Sequence, residues 1–367
     1  MKDVTKTNLK FLLKLLVFGV LLVLSLWIMG RIFIPKWKHA NVTKNLQGFY
    51  NESKNSIDVL FIGSSDAANG FSPIELWDKT GTASYVYSSQ GQRIWTSYYM
   101  LKETFKYQSP KVVVLNVDGC FDKSRAKEGN RQKIINNMHW GKAKWEMLND
   151  PVYKNSTNDI ISYILPVFRY HDRYDDLNAE DFVRGFIRYH AEGKGYNINL
   201  RSKPWKKGTS YMKATDEVTK LPESNREYFE KIISLCEEND AQLVLAELPS
   251  TDAWNMKKSN SITAFAKEKG LTFIDFNLML DEIELDWKND TRDGGDHLNL
   301  YGAKKVTDYM AQYLSENYDL PNHKNDEKYS SWKKDCKKYN DNINKRLEKN
   351  ENKNYKGKEM TLTVSED

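Results

Sequence analysis

Two segments far apart in the chain carry residue types suited to nucleophilic chemistry. Val59 to Pro73 reads VLFIGSSDAANGFSP, an apolar run that stops at Gly-Ser-Ser, and Asp293 to Ala303 reads DGGDHLNLYGA. A serine hydroxyl is a poor nucleophile until a histidine takes its proton, and that histidine needs a carboxylate to hold its tautomer. Of His39, His139, His171, His190, His297 and His323, His297 is the one set among acids, turn-forming glycines and a helix start. Alone, Gly-Ser-Ser would equally suit a helix cap or an anion-binding turn. Joined to the distant Asp/His cluster, it reads as a split Ser-His-Asp hydrolytic site.

Such a pair needs a scaffold that brings strand ends and a late loop together. Short β-branched runs alternate with amphipathic stretches, the pattern of a parallel sheet flanked by helices. The expected strands are Ile57 to Ile62, Ser84 to Ser88, Lys111 to Val117, Gln242 to Leu248 and Thr272 to Phe276. Helices are expected over Trp95 to Lys106, Glu223 to Glu238, Ser259 to Lys269 and Leu300 to Glu316, the last with Tyr301, Val306, Tyr309 and Tyr313 near one face. Between the third and fourth strands, about 122–220, no strand alternation stands out. A structureless loop of that length is improbable in a compact domain, so a helical insertion near the site is expected.

The ends differ from this middle. Leu15 to Ile34 reads LLVFGVLLVLSLWIMGRIFI, interrupted only by Arg31, and about 20 apolar residues span a bilayer core. Trp27 lies where indole rings settle at the interface. Lys2, Lys6, Lys10 and Lys14 precede the run and Arg31, Lys36 and Lys38 follow it, a weak bias toward a cytoplasmic amino terminus. No small-residue cleavage site follows, so residues 1–36 are expected to form a single-pass signal anchor in the cell membrane. The domain expected over residues 45–320 would then lie outside the cytoplasm. Residues 321–367 are mostly Lys, Asn, Asp and Glu around YSSWKKDCKKY, which predicts a partly ordered extension with a disordered tail.

Bulk properties narrow the class. A chain of 367 residues with 40% hydrophobic and 29% charged residues fits one large domain or two ordinary ones. The net charge of +5 is spread along the chain, which suits either contact with anionic phospholipid or cell-wall polymer, or a solvated basic surface. Zinc-finger, P-loop and RNA-binding signatures are absent from the sequence, so nucleic acid is not an expected partner. Neither a metal nor a cofactor is expected. Cys120, Cys236 and Cys336 form neither a CxxC motif nor an even set, so no disulfide framework is implied.

FIGSS at Phe61 to Ser65, SSQGQ at Ser88 to Gln92 and DGGDHLNLYGAKK at Asp293 to Lys305 resemble the blocks of the SGNH/GDSL hydrolases. More narrowly, the chain resembles membrane-anchored bacterial members that act beside membrane-bound O-acyltransferases on cell-surface polymers. Their organisation is similar to that of the D-alanyl transfer protein of teichoic acid. The resemblance implies a flavodoxin-like three-layer sandwich with a five-stranded parallel sheet. It also implies Ser65 as nucleophile, His297 as base, and the Ser65 and Gly91 amides as oxyanion donors. In the third block this chain has LNVDG where the family has GxND, so Asn116 or Asp118 falls nearest the third donor's place. The family's acid stands three residues before its histidine, where this chain has Gly294. Asp293 is the favoured acid and Asp296 the alternative, with Asp296 then expected to point away. Ser64 and Asn299 are read as helix caps. Trp254, and behind it Trp287, Trp205 and Trp95, could offer flat apolar rings to a sugar face. The implied activity is that of an extracytoplasmic serine acyl esterase or O-acyltransferase on a surface glycan. The alternatives are a catalytically weak or inactive binding partner of an O-acyltransferase, and a lipid esterase.

Overall fold

The computed structural model describes residues 2–36, 41–122, 127–152 and 157–362, with side chains described from 8 to 349 except 157 and 158. Helix α1 (Lys2–Phe33) precedes α2 (Val42–Phe49), β1 (Val59–Gly63), α3 (Ser65–Gly70), α4 (Pro73–Thr80), β2 (Ser84–Ser88), α5 (Ile94–Tyr107) and β3 (Val112–Asn116). The insertion holds α6 (Glu128–Asn137), α7 (Lys142–Asn149), α8 (Thr157–Ile164), α9 (Val167–Tyr170) and α10 (Ala179–Arg184). Helix α11 (Glu223–Glu237), β4 (Gln242–Glu247), α12 (Met256–Lys269), β5 (Thr272–Asp275), α13 (Leu300–Asn317) and α14 (Ser330–Leu362) follow.

The strands pair in parallel in the order β2-β1-β3-β4-β5. This is the flavodoxin-like order, whose direction reverses between β1 and β3, and ligands gather beyond the strand ends at such a switch point. Burial on both faces explains the near-continuous aliphatic composition of β1 and β3. Leu60, Ile62, Val113, Leu115, Leu243 and Leu245 face a core shared with α5 and α11. The alternating set, Val59, Phe61, Val112, Val114, Val244 and Ala246, faces α13 and the short helices after β1. Three layers result, with the sheet between two helical covers.

Strand positions match the expected runs closely, and the α13 face does so in part, with Val306 buried and Tyr309 and Tyr313 partly buried against the core. Its buried residues include Ala303, Val306, Met310 and Leu314, while Tyr301 is exposed. Close packing on the sheet gives the fully buried positions to the smaller aliphatics and leaves the tyrosines at the margin. The extension is also more ordered than its composition suggests. Trp332, Tyr339 and Ile343 pack with Ile74 and Trp77 of α4, and Ser72 Oγ lies 3.1 Å from the Tyr339 hydroxyl. Buried Lys194 joins Glu52 at 2.9 Å and Asp335 at 2.8 Å, fastening α14 to the domain. The expected disordered tail and the lysines at 2 and 6 lie outside the described side chains, and Lys38 lies outside the described residues.

Within α1, Asn8–Phe33 is long and apolar enough to cross a bilayer, a property shared by anchors and signal sequences. Its 26 residues span about 39 Å.

Candidate active site

Ser65 stands at the switch point because β1 ends in Gly63 and the chain turns at once into α3. A side chain at Gly63 would bring its Cβ to 2.6 Å from Asn116 Cβ, so glycine is what lets β1 and β3 close at this point. Ser64 is extended and its Oγ accepts from the Asp66 amide at 3.2 Å, the expected cap. Asn69 Nδ2 donates to the Ser65 carbonyl at 2.5 Å, tying the turn to its helix.

The second half of the site is a loop curled by two glycines. Gly294 and Gly295 have φ of +91° and +102°, a region that non-glycine residues seldom occupy. That curl lets Asp293 reach His297 twice, with Oδ1 accepting from the amide at 2.8 Å and Oδ2 meeting Nδ1 at 2.7 Å. Two left-handed residues absorb the extra position that separates D-x-x-x-H from D-x-x-H. Arg292 braces the acid, with Nε 3.3 Å from Asp293 Oδ2 and Nη1 donating to Asn69 Oδ1 at 2.8 Å. The loop closes through the isolated antiparallel bridge Thr291↔Leu298. Asn299 then caps α13, accepting from the amides of Tyr301 and Gly302 at 2.9 and 3.3 Å.

Across the two halves, His297 Nε2 lies 2.9 Å from Ser65 Oγ. Asp296 departs from its expected orientation: its Oδ2 lies 3.0 Å from Nδ1, and Ser250 Oγ donates to its other oxygen at 3.3 Å. The glycine curl returns the chain so that Asp296, next to His297 in sequence, meets the same ring nitrogen as Asp293. Both acids therefore attend one ring nitrogen. Asp293, Asp296 and His297 also form a trio whose ligand atoms fall within 4.8 Å of one another, but both ring nitrogens already face protein partners.

Asp66, which sequence reasoning passed over, is buried with Oδ1 3.5 Å from His297 Nε2. Burial, reinforced by Asp118, pushes its carboxyl well above the usual range. Burial also raises Asp118 to about 6 against the opposing hydrogen bond from Ser64. Burial of His297 disfavours its charge, but Asp293, Asp296 and Asp66 outweigh that and push the imidazole up to about 10. Burial of Asp293 is likewise outweighed by its bonds to the His297 ring and amide, which hold it down at about 2.

Of the groups expected as oxyanion donors, Asn116 and Asp118 are engaged with other side chains. Gly91 follows β2, whose Ser88 pairs with Gly63, and it turns the chain with φ +63°. Asn116 is not free for the third role, because its buried amide donates to Glu247 Oε2 at 3.1 Å. Asp118 accepts from Ser64 and offers no donor while ionised. Asn130 of α6 packs against this turn, its Nδ2 2.6 Å from where a Cβ on Gly91 would stand. Nothing in the local sequence marks Asn130, because only tertiary packing brings the insertion to the β2 turn.

Trp254 is corrected from a sugar-facing ring to a core residue. It is 2% exposed and its Nε1 donates to Asp275 Oδ2 at 2.9 Å. Trp95 is also buried. Trp205 is the aromatic beside the loop: its Cβ would lie 3.2 Å from a side chain on Gly295, and its amide donates to the Trp287 carbonyl at 3.0 Å.

No protein-family model and no curated protein matches this chain. Among solved structures, it is similar to a protein from Desulfitobacterium hafniense described as lipolytic and of the G-D-S-L family, at 14% identity over 71% of this chain and 100% of that one, with a TM-score of 0.35. It is also similar to a GDSL-like lipase from Bacteroides thetaiotaomicron, at 12% identity over 75% of this chain and 100% of that one, with a TM-score of 0.34. At such scores, strand order and register define the architecture, and the side-chain geometry defines the site.

Proposed function

We propose that the chain is a membrane-anchored serine acyl esterase or O-acyltransferase of SGNH type, with its α/β domain outside the cytoplasm and an acylated surface carbohydrate as substrate. The observation that carries this reading is the continuous relay from Asp293 to His297 to Ser65, at 2.7 and 2.9 Å.

In this reading, neutral His297 accepts the Ser65 proton at Nε2 as Oγ attacks the ester carbonyl. Asp293 holds the opposite ring nitrogen and stabilises the imidazolium that forms. The amides of Ser65 and Gly91 and the Asn130 side chain receive the developing oxyanion. Collapse of the tetrahedral intermediate breaks the ester C–O bond, and the imidazolium protonates the departing alcohol. Water or an acceptor hydroxyl then gives its proton to His297 and attacks the acyl-serine, releasing acid or a new ester. Both outcomes share one intermediate. Trp205, whose Cβ adjoins the histidine loop, is the aromatic residue that supports a carbohydrate acceptor. The apolar run of α1 supports the anchor.

The test is covalent labelling of the full chain by a fluorophosphonate. Parent and Ser64→Ala should label and Ser65→Ala should not, with ester turnover reduced by about 10⁶ in the last. Equal labelling of Ser65→Ala and parent would overturn the assignment. The esterase and transferase outcomes separate by whether a sugar alcohol captures the acyl group in place of water.

A further inference from the structure

The insertion does more than flank the site. Beside the carboxyl end of α1 it presents large apolar side chains to solvent: Ile164, Phe168, Phe182, Val183, Phe186 and Ile187, each 45–61% exposed. Helices α9 and α10, which carry Phe168, Phe182 and Val183, contact α1. Trp27 and Phe186 meet edge to face at 6.0 Å, and the Arg31 guanidinium lies 5.7 Å from the Phe186 ring. Arg31 also donates to the Gly185 carbonyl, and Arg173 to that of Phe33. Gly30 admits Pro166, whose Cδ would be 3.3 Å from a Cβ there.

The depth of these contacts identifies the occupant. Trp27 to Phe33 covers about 9 Å of helix, at the end of the apolar run. Interfacial helices bury their apolar faces about 5–10 Å into the headgroup and acyl boundary. An element touching Trp27 therefore reaches that boundary whenever α1 spans the bilayer. Behind it opens a cleft of about 660 Å³ lined by Lys36, Lys44, Arg184 and Arg188 together with Glu180 and Glu192. Lys44 is paired with Glu192 and Arg184 with Glu180 at 3.2 Å, which leaves the lining with more basic than acidic groups.

We propose that residues 161–187 form a membrane-seating surface, with the apolar side chains entering the outer lipid leaflet and the basic cleft facing anionic headgroups. This rests on the anchor reading of α1. Its consequence is that the domain is held by two attachments instead of swinging on the short connection after Phe33, which sets the height and tilt of Ser65 above the bilayer.

The experiment uses the full chain in vesicles of phosphatidylcholine and phosphatidylglycerol, with and without brominated acyl chains. A bimane label is placed by Phe168→Cys, Phe182→Cys, Val20→Cys or Val218→Cys in a Cys336→Ser background, Cys120 and Cys236 being buried. Val218 is exposed and precedes Thr219, which bonds α12 beside the far sheet edge. Brominated lipid should reduce emission of the labels at 20, 168 and 182 and leave the label at 218 unchanged. Quenching at 20 without quenching at 168 and 182 would overturn the seat while keeping the anchor. A blue-shifted but unquenched label at 168 or 182 would assign that face to a protein partner and also overturn the proposal. Absence of quenching at 20, 168 and 182 alike would overturn the anchor reading itself.

Discussion

The two halves of the site are held by different kinds of structure. Ser65 follows a strand paired on both sides, and its turn is fixed by the approach of Asn116 to Gly63. His297 sits on a glycine curl closed by one isolated bridge and by side-chain bonds from Asp293 and Arg292. The sheet fixes the proposed nucleophile through strand pairing that the histidine loop does not share. The loop instead depends on the same groups that tune the base, so position and proton affinity cannot be altered separately there. A nucleophile needs only a fixed location, whereas a base needs both location and tautomer.

Breaking the loop at its acid should have the largest effect after loss of the nucleophile. Asp293→Asn is expected to lower kcat by ~10⁴ through the wrong tautomer, while urea denaturation changes little. An activity loss of less than tenfold would transfer the role to Asp296.

The two glycines extend the contrast to stability. Gly63→Ala forces a Cβ to 2.6 Å from Asn116 within the sheet, and such overpacking should cost about 1–3 kcal/mol of global stability. Gly295→Ala meets Thr251 Oγ1 at 2.6 Å with φ already at +102°. The strain there, about 1–3 kcal/mol, should displace the loop and appear mainly in kcat. Denaturation midpoints and turnover measured on both variants check this; the reverse pattern would mean that the histidine loop is integral to the core.

A smaller effect concerns pH. His297 is raised to about 10, so its neutral, base-competent fraction falls as pH drops through that region, and kcat/KM on a neutral ester should rise toward alkaline pH. Stability contributed by the charged imidazole is complete below its unfolded value of about 6.5 and is lost as pH rises through the folded value. Asp66→Asn removes a negative neighbour at 3.5 Å, so the activity limb should move to lower pH. An unmoved or alkaline-shifted limb would show that Asp66 is already neutral beside the ring. The smallest change is expected for Asp296→Asn. Its partly exposed pairing at 3.0 Å is worth about 0.2–1 kcal/mol, less than about fivefold in rate; a loss comparable to that of Asp293→Asn would make the two acids equal partners.

Much of this was legible from residue order. Aliphatic runs such as VLFIG and VVVLN announce strands buried on both faces, because no amphipathic alternation is needed there. Ser65, Asp293 and His297 could be singled out because glycines and acids cluster around them within a few residues. Asp66 was overlooked although it adjoins Ser65, since adjacency in sequence does not say which way a buried carboxylate turns. Trp254 misled because an aromatic after a strand looks the same whether it lines a site or fills a core.

What the sequence by itself determined is the set of features with local causes: the strands, the apolar α1, the caps at Ser64 and Asn299, and the glycines that permit the 293–297 curl. Only the tertiary structure decided which groups share a space. It gave the Asn116 amide to Glu247, brought Asn130 from the insertion to Gly91, turned Asp296 as well as Asp293 toward His297, and set Phe186, just after α10, beside Trp27. The physical reason is range. Backbone conformation responds to neighbours a few residues away, whereas hydrogen-bond partners and burial depend on contacts that the fold makes between residues up to hundreds of positions apart.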